Sequence, residues 1–338
     1  MLLAACEKQI DIDIDDLEPL VVVRAQNETD MPLSVNLTYS RPMFGSFYVD
    51  YDDDYFPKVT DATVTLSVNG GTVETATRDG GTYTFTHLPQ PGEELSLNIE
   101  VPGKEAITAT ATVPLLPQVG EITLQTRTEP LDIDGNTSVD LSLFVPLIDR
   151  GGTADFYSIV MYRCDTVCYT YYDSTGAACY YDTLVDGQQY FECQDQLIVN
   201  QMNIEDAFEG TIPTFVGSEM LFNDALIDGT THSIELMTYV YLGGYNAEGR
   251  WFRTGDGYWI ESPYGSFTYV VHSTFYVEVY ALSRDLYLYR QSMNSYNDDE
   301  LLSFFSEPVQ IHSNVDGGIG IFGVSSKKTF TYKFDLQP

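Results

Sequence analysis

Residues 63–71 read Thr63-Val64-Thr65-Leu66-Ser67-Val68-Asn69-Gly70-Gly71. Successive side chains of an extended chain point to opposite faces, so Val64, Leu66 and Val68 share one side while Thr63, Thr65 and Ser67 share the other. Asn69 and the glycines after it supply the positive φ that a tight hairpin needs. The stretch predicts a half-buried strand running into a turn, and the pattern recurs around it. Arg78-Asp79-Gly80-Gly81 predicts a second turn, followed by Tyr83 and Phe85 on one face. Leu95, Leu97, Ile99 and Val101 alternate with Ser96, Asn98 and Glu100, and Ile107, Ala109, Ala111 and Val113 alternate with Thr108, Thr110 and Thr112. Period-two patterning with turns at short intervals marks an antiparallel sandwich with one solvated face per sheet. The fold class is therefore mainly β, with residues 18–115 expected to form an immunoglobulin-like β-sandwich.

Pro114, Pro117 and Gly120 mark a boundary, and residues 116–338 are expected to form a larger β-rich domain. Its strands are expected at Glu121 to Arg127, Ser138 to Val145, Asp155 to Tyr162, Ser233 to Leu242, Phe267 to Leu282 and Thr329 to Phe334. Gln196 to Met202 is read as a further strand closing a cysteine-rich hairpin at 164–193. The one helix, at 283–296, is read from Leu282, Leu286, Tyr289, Met293 and Tyr296 at helical spacing, with Ser283 as its N-cap. That stripe is taken as core.

Four cysteines lie between Cys164 and Cys193 with three, ten and thirteen residues intervening. The paired knuckles of a zinc site are missing from that spacing, and an even number in an exported chain reads as disulfides. Cys164 and Cys168 are about 13 Å apart on one strand, too far to bond each other. Two connectivities remain; the nested one, Cys164 with Cys193 and Cys168 with Cys179, suits an antiparallel hairpin and is preferred.

The 338 residues hold 50 acids and 16 bases, a formal charge of −34. Such a surface repels phosphate backbones, so no nucleic-acid partner is expected. Hydrophobic content of 43% with 20% charged residues is that of a folded chain.

At the start of the chain stands Leu3-Ala4-Ala5-Cys6, the pattern a bacterial lipoprotein signal peptidase cuts to leave Cys6 as an acylated N-terminus. Residues 1–5 are read as a signal-peptide remnant and 6–17 as an acidic tether. Cys6 is thus the expected lipid attachment site, and fatty chains are the expected contact with the membrane.

Other motifs are weaker. Gly318-Ile319-Gly320-Ile321-Phe322-Gly323 matches G-x-G-x-x-G, but a dinucleotide fingerprint needs a helix after it and an acid about 20 residues on. The remaining residues look like a strand, so the glycines are read as serving turns or close packing. The four histidines show no metal-ligand spacing and no G-x-S-x-G elbow is present. No catalytic residue, metal or cofactor is expected. Two aromatic loops are candidate contact surfaces: Phe44, Phe47, Tyr48, Tyr51 and Tyr55 in the first, and Trp251, Tyr258 and Trp259 in the second.

The chain resembles a family of Bacteroidota outer-membrane lipoproteins of unknown function, the DUF4249 type. The resemblance rests on Cys6-Glu7-Lys8-Gln9-Ile10-Asp11 followed by Glu18-Pro19-Leu20-Val21-Val22, on Ala281-Leu282-Ser283 with Tyr287 and Tyr289, and on Phe305-Ser306-Glu307-Pro308-Val309 with Ser313-Asn314-Val315-Asp316-Gly317 running into the glycine motif. It implies an N-terminal immunoglobulin-like domain, a C-terminal β-rich domain and a place on the cell surface. It also implies a non-enzymatic role beside a TonB-dependent β-barrel transporter in nutrient capture or uptake, with the ligand unknown. An adhesin or structural surface protein and an extracellular hydrolase are the alternatives.

Overall fold

A computed structural model describes residues 18–41, 56–71, 73–128, 138–173, 176–201, 213–241, 245–246, 251–253, 259–261, 267–298 and 310–335. The first strands are β1 (Val21–Glu28), β2 (Ser34–Tyr39), β3 (Thr63–Val68), β4 (Val73–Thr75), β5 (Thr77–Asp79), β6 (Thr82–Thr84), β7 (Glu94–Glu100) and β8 (Ile107–Thr112). Then come β9 (Thr123–Thr128), β10 (Ser138–Ile148), β11 (Phe156–Asp173), β12 (Gly176–Gln188), β13 (Phe191–Cys193), the short helix α1 (Gln196–Val199), β14 (Phe215–Gly217), β15 (Glu219–Asn223) and β16 (Thr231–Tyr241). The chain continues through β17 (Tyr245–Asn246), β18 (Trp251–Arg253), β19 (Trp259–Glu261), β20 (Phe267–Leu282), α2 (Arg284–Asp298), β21 (Val315–Asp316) and β22 (Ile319–Asp335).

The alternation read from the sequence is the alternation of burial. In β7 the leucines and Ile99 are buried while Glu94, Ser96 and Glu100 are exposed, and β8 buries Ile107, Ala109 and Ala111 between exposed threonines. Asn69 and Gly70 take φ of 52° and 67°, the left-handed pair that turns β3 back toward β4.

One large sheet runs β12-β11-β20-β22-β1-β2-β6-β5, with β15 also on β11 and β17 on β20. Two smaller sheets, β21-β8-β7-β3-β4 and β14-β13-β16-β10-β9, each bury a core against it. In the first core Val23, Leu37, Tyr83 and Phe322 meet Leu66, Leu97 and Ile107. In the second, Ile159, Phe275 and Val279 meet Leu143, Val145 and Leu236.

Both cores lie on the same face of the large sheet, and β22 shows why. Phe322 and Val324 enter the first core, while Phe330 and Tyr332 pack against the second. Between them the Ser326 hydroxyl donates to the Leu115 carbonyl at 3.0 Å and Lys328 Nζ donates to the Val119 carbonyl at 3.3 Å, so the linker between the cores lies under the middle of the strand. These residues are an even number apart and therefore share a face. The strand changes partner midway. Ile319 to Ser325 pair in parallel with Val22 to Glu28 of β1, and Ser325 to Asp335 pair antiparallel with Leu282 to His272 of β20. A chain cut at 115/116 does not yield two self-contained units, because Val315, Phe322 and Val324 return from the far end to complete the first core.

The glycine motif is the point of closest approach. At Gly320, φ is +119° and an added Cβ would lie 2.0 Å from the Val23 carbonyl oxygen; at Gly323 it would lie 2.7 Å from the Leu286 side chain of α2. The motif lets β1 and the helix close on β22 from its edge and its outer face.

Three local expectations are corrected. Gln196–Val199 is a turn of helix, not a strand, because Asp195 accepts the Leu197 amide at 3.0 Å and caps it. The helix at 284–298 buries Leu286 and Tyr287, whereas Tyr296, expected on the buried stripe, is 54% exposed. The Ser283 hydroxyl accepts from the Val324 amide at 3.2 Å, tying the helix start to β22.

The expected Cys164–Cys193 bridge is absent: both are free thiols. Met161 of β11 faces the core that contains Cys193, and Cys164, three residues further on, is turned to the opposite face. The side chains of Cys168 and Cys179 lie outside the described residues. The β11–β12 register opposes Cys168 to Tyr181 and Cys179 to Thr170, a diagonal placement wider than a disulfide spans without adjustment.

Two outcomes follow from this packing. Gly320→Ala should cost more than about 3 kcal/mol through strain and collision with the β1 backbone; a thermal melt within a degree of wild type would refute the close approach. Burial pushes the Cys193 thiol up to about 11, so it should resist an aromatic disulfide reagent until denaturant is added, and rapid labelling in the native state would contradict its place in the core.

Candidate functional site

The outer face of the large sheet carries α2. Val160, Tyr280, Leu282 and Ile321 of the sheet pack against Leu286 and Tyr287 of the helix. Beyond this patch the helix and sheet diverge and leave a cleft of about 530 Å³. Its floor crosses β11, β20, β22 and β1, three inter-strand steps or about 14 Å. Arg24, Gln26 and Glu28 line it from alternate positions of β1, where the intervening Val23 and Ala25 are buried in the first core. Tyr289, Arg290, Met293 and Asn294 line it from the helix, adjacent on one face at one-turn spacing. Tyr162 and Tyr280 come from the floor and Glu219 from the start of β15.

Apart from the exposed Arg24, the charges in and beside the cleft are held by one another. Arg290 Nη1 lies 2.7 Å from Glu219 Oε1, which also accepts the Ser158 hydroxyl at 2.8 Å. Lys327 Nζ lies 3.1 Å from both Glu28 and Glu278. The Tyr280 hydroxyl donates to Glu278 at 2.5 Å, and Lys327 stands 5.4 Å from the Tyr280 ring centre, within cation–π range. Burial alone would lower the Lys327 ammonium, but its bonds to Glu278 and Glu28 outweigh that and hold it above the ordinary lysine value. Burial, then the bond to Glu278, raises the Tyr280 phenol above the usual tyrosine range. Both groups keep their protons throughout the neutral range, so the cleft presents fixed donors and acceptors.

A second cluster sits at the end of the second core, where Asp149, Asp155 and Asp224 bring carboxylate oxygens within 4.8 Å of one another. Oxygen donors of this kind suit a hard divalent cation. Asp149, however, already accepts the amides of Gly151 and Gly229 at 2.9 and 2.8 Å and the Tyr157 hydroxyl at 3.1 Å, and Asp224 accepts the Asp155 amide at 2.9 Å. These bonds staple the β10–β11 turn to the turn before β16.

None of the site residues singled out from sequence is among the described residues that line the cleft. Phe44, Phe47, Tyr48, Tyr51, Tyr55, Tyr258 and Cys6 lie outside the described residues. Trp251 and Trp259 stand on the β18–β19 hairpin, in a register that pairs Trp251 with Glu261 and Arg253 with Trp259. Among the described residues no histidine lines the cleft; His87, His232 and His312 instead sit 2.8, 2.5 and 2.9 Å from Glu93, Asp195 and Asp285. The readable signal was the alternation in β1, where polar residues separate buried Val23, Ala25 and Asn27.

Burial raises the Asp155 carboxyl, with Arg150 opposing and Asp149 reinforcing the shift, and burial likewise raises Asp224. A carboxyl raised in the folded state binds its proton more readily folded than unfolded. Its ionised form therefore opposes folding above the folded pKa, and that cost fades as pH falls toward the ordinary aspartate value. Asp155→Asn should raise Tm by roughly 1–3 °C at pH 7 in chelator, with the gain shrinking toward about pH 4. An unchanged or lower Tm at pH 7 would show that the carboxylate carries no such cost.

No curated protein matches the chain. The family model described as a domain of unknown function, DUF4249, matches residues 7–331, nearly the whole of the β architecture and both walls of the cleft. The chain belongs to the DUF4249 family.

Proposed function

We propose that the chain is a non-enzymatic lipoprotein of the outer-membrane surface, anchored through Cys6, that serves as an accessory to a TonB-dependent transporter in nutrient capture or uptake. The observation that carries this reading is Leu3-Ala4-Ala5-Cys6 followed at once by Glu7 and the run Asp11-Ile12-Asp13-Ile14-Asp15-Asp16. A diacylated or triacylated cysteine supplies the two or more chains that stable anchoring needs, at about 0.8 kcal/mol per buried methylene. The fourteen residues between Cys6 and Val21 span at most about 50 Å fully extended, room for the body to stand clear of the bilayer. The large sheet then carries the cleft on the face away from both cores. A cleft whose carboxylates are each answered by a cation or hydroxyl is suited to holding a ligand for transfer.

Metabolic labelling with a clickable palmitate analogue, followed by gentle-detergent pull-down and mass spectrometry, tests anchor and partner together. Label should appear on wild type and vanish in Cys6→Ala, and a large β-barrel transporter should copurify. Unlabelled material with an unmodified thiol at Cys6, or a pull-down without any transporter, would defeat the proposal.

A further inference from the structure

We propose that the cleft between α2 and the large sheet is a binding site for a neutral, polyhydroxylated ligand, an oligosaccharide of two or three rings. The inference deepens the proposed capture role and rests on it for its biological meaning, although the site itself is read from the geometry alone.

Charge is the first argument. The whole chain has 50 acids to 16 bases, yet the lining of the cleft sets Arg24 and Arg290 against Glu28 and Glu219. Of these, Arg290 and Glu219 are bonded to each other, and Glu28 is bonded to Lys327. A cation entering here would gain no unspent carboxylate, and an anion would gain only the exposed, solvent-screened guanidinium of Arg24, which makes a charged ligand a poorer fit than a hydroxylated neutral one. A hydroxylated neutral ligand needs hydrogen-bond partners instead.

Those partners are present in both senses. The carboxylates accept, the guanidinium groups donate, and the amides of Gln26, Gln188 and Asn294 do both. The ion pairs fix carboxylate and guanidinium planes, and a plane of two parallel acceptors or donors matches the two oxygens of a vicinal diol. Shape supplies the third argument. Tyr162 on the floor and Tyr289 on the wall, both only partly buried, are amphipathic groups suited to the C–H faces of sugar rings. Tyr280 is held still by Glu278 and Lys327, so little ordering cost remains at binding. The volume of about 530 Å³ falls within the range of small-ligand sites, about 300–1,000 Å³. A peptide of similar length would bring an ammonium terminus for which the lining has no unpaired carboxylate.

The test is calorimetric titration of the full chain in detergent with maltotriose, cellotriose, xylotriose and mannotriose, beside trigalacturonate and trialanine as charged probes. At least one neutral trisaccharide should bind, and Tyr289→Ala should weaken it about tenfold. Gln26→Ala, at an exposed position of β1, should weaken it about threefold while leaving the thermal melt unchanged, which separates lost contact from lost fold. Binding to none of the neutral probes, preference for either charged probe, or affinity unmoved by both substitutions would overturn the site. Lipid labelling and transporter copurification are read separately, so their failure would refute the surface role while a sugar isotherm still stood.

Discussion

The architecture depends on one backbone requirement: every peptide group of β22 must find a partner although the strand runs through two cores. Strand pairing answers one edge at a time, β1 along the first half and β20 along the second. The other edge of the first half is answered by Ser313, Asn314 and Ser283, which bond to Gly320, Phe322 and Val324. Ser325 stands at the exchange, pairing with Glu28 on one side and Leu282 on the other, and its carbonyl also accepts the Thr29 amide at 2.9 Å. Small residues are needed where neighbours crowd in, and Ser325 and Ser326 are almost wholly buried there. Once β20 has ended at Leu282, α2 occupies the space beside the first half of β22. The cleft exists because the helix starts against the sheet and then leaves it.

Much of this was legible locally. The alternation from Thr63 to Val68 and from Glu94 to Thr112 needs only neighbours to be read, and so does the helix after Ser283. The partner of β22 is a different matter. Its segments at 318–323 and 329–334 look like two short pieces in sequence, because Gly320 and the serines interrupt the apolar pattern. Only the approach of Val23 to Gly320 explains why they are one strand. The Cys164–Cys193 pairing failed for a related reason: whether Cys164 faces the core of Cys193 depends on counting strand parity from Met161. The cleft escaped notice because Arg24, Gln26 and Glu28 look like any solvated face until a helix is laid across them.

The two polar concentrations of the molecule spend their charge differently. At Asp149, Asp155 and Asp224 like charges are gathered under partial burial; backbone amides answer Asp149 and Asp224 while Asp155 Oδ2 has no hydrogen-bond partner among the described residues, an arrangement that fixes turns at some electrostatic cost. Around Lys327 and Arg290 opposite charges are interleaved, and each carboxylate named there has a cation or hydroxyl against it. The first is a brace. The second leaves the surface polar but uncommitted, in a chain whose remaining surface is strongly acidic.

The exchange at Ser325 also sets the order in which the molecule can be completed. Val22 leaves the ribosome well before its parallel neighbour Ile319, from which about 300 residues separate it. During that interval the first layer has an open hydrogen-bonding edge and lacks Phe322 and Val324. Exposed edges of this kind invite pairing with other chains, and closing so long a loop is slow. The chain is therefore vulnerable to mispairing throughout that interval, and β22 acts as the latch that ends the exposure.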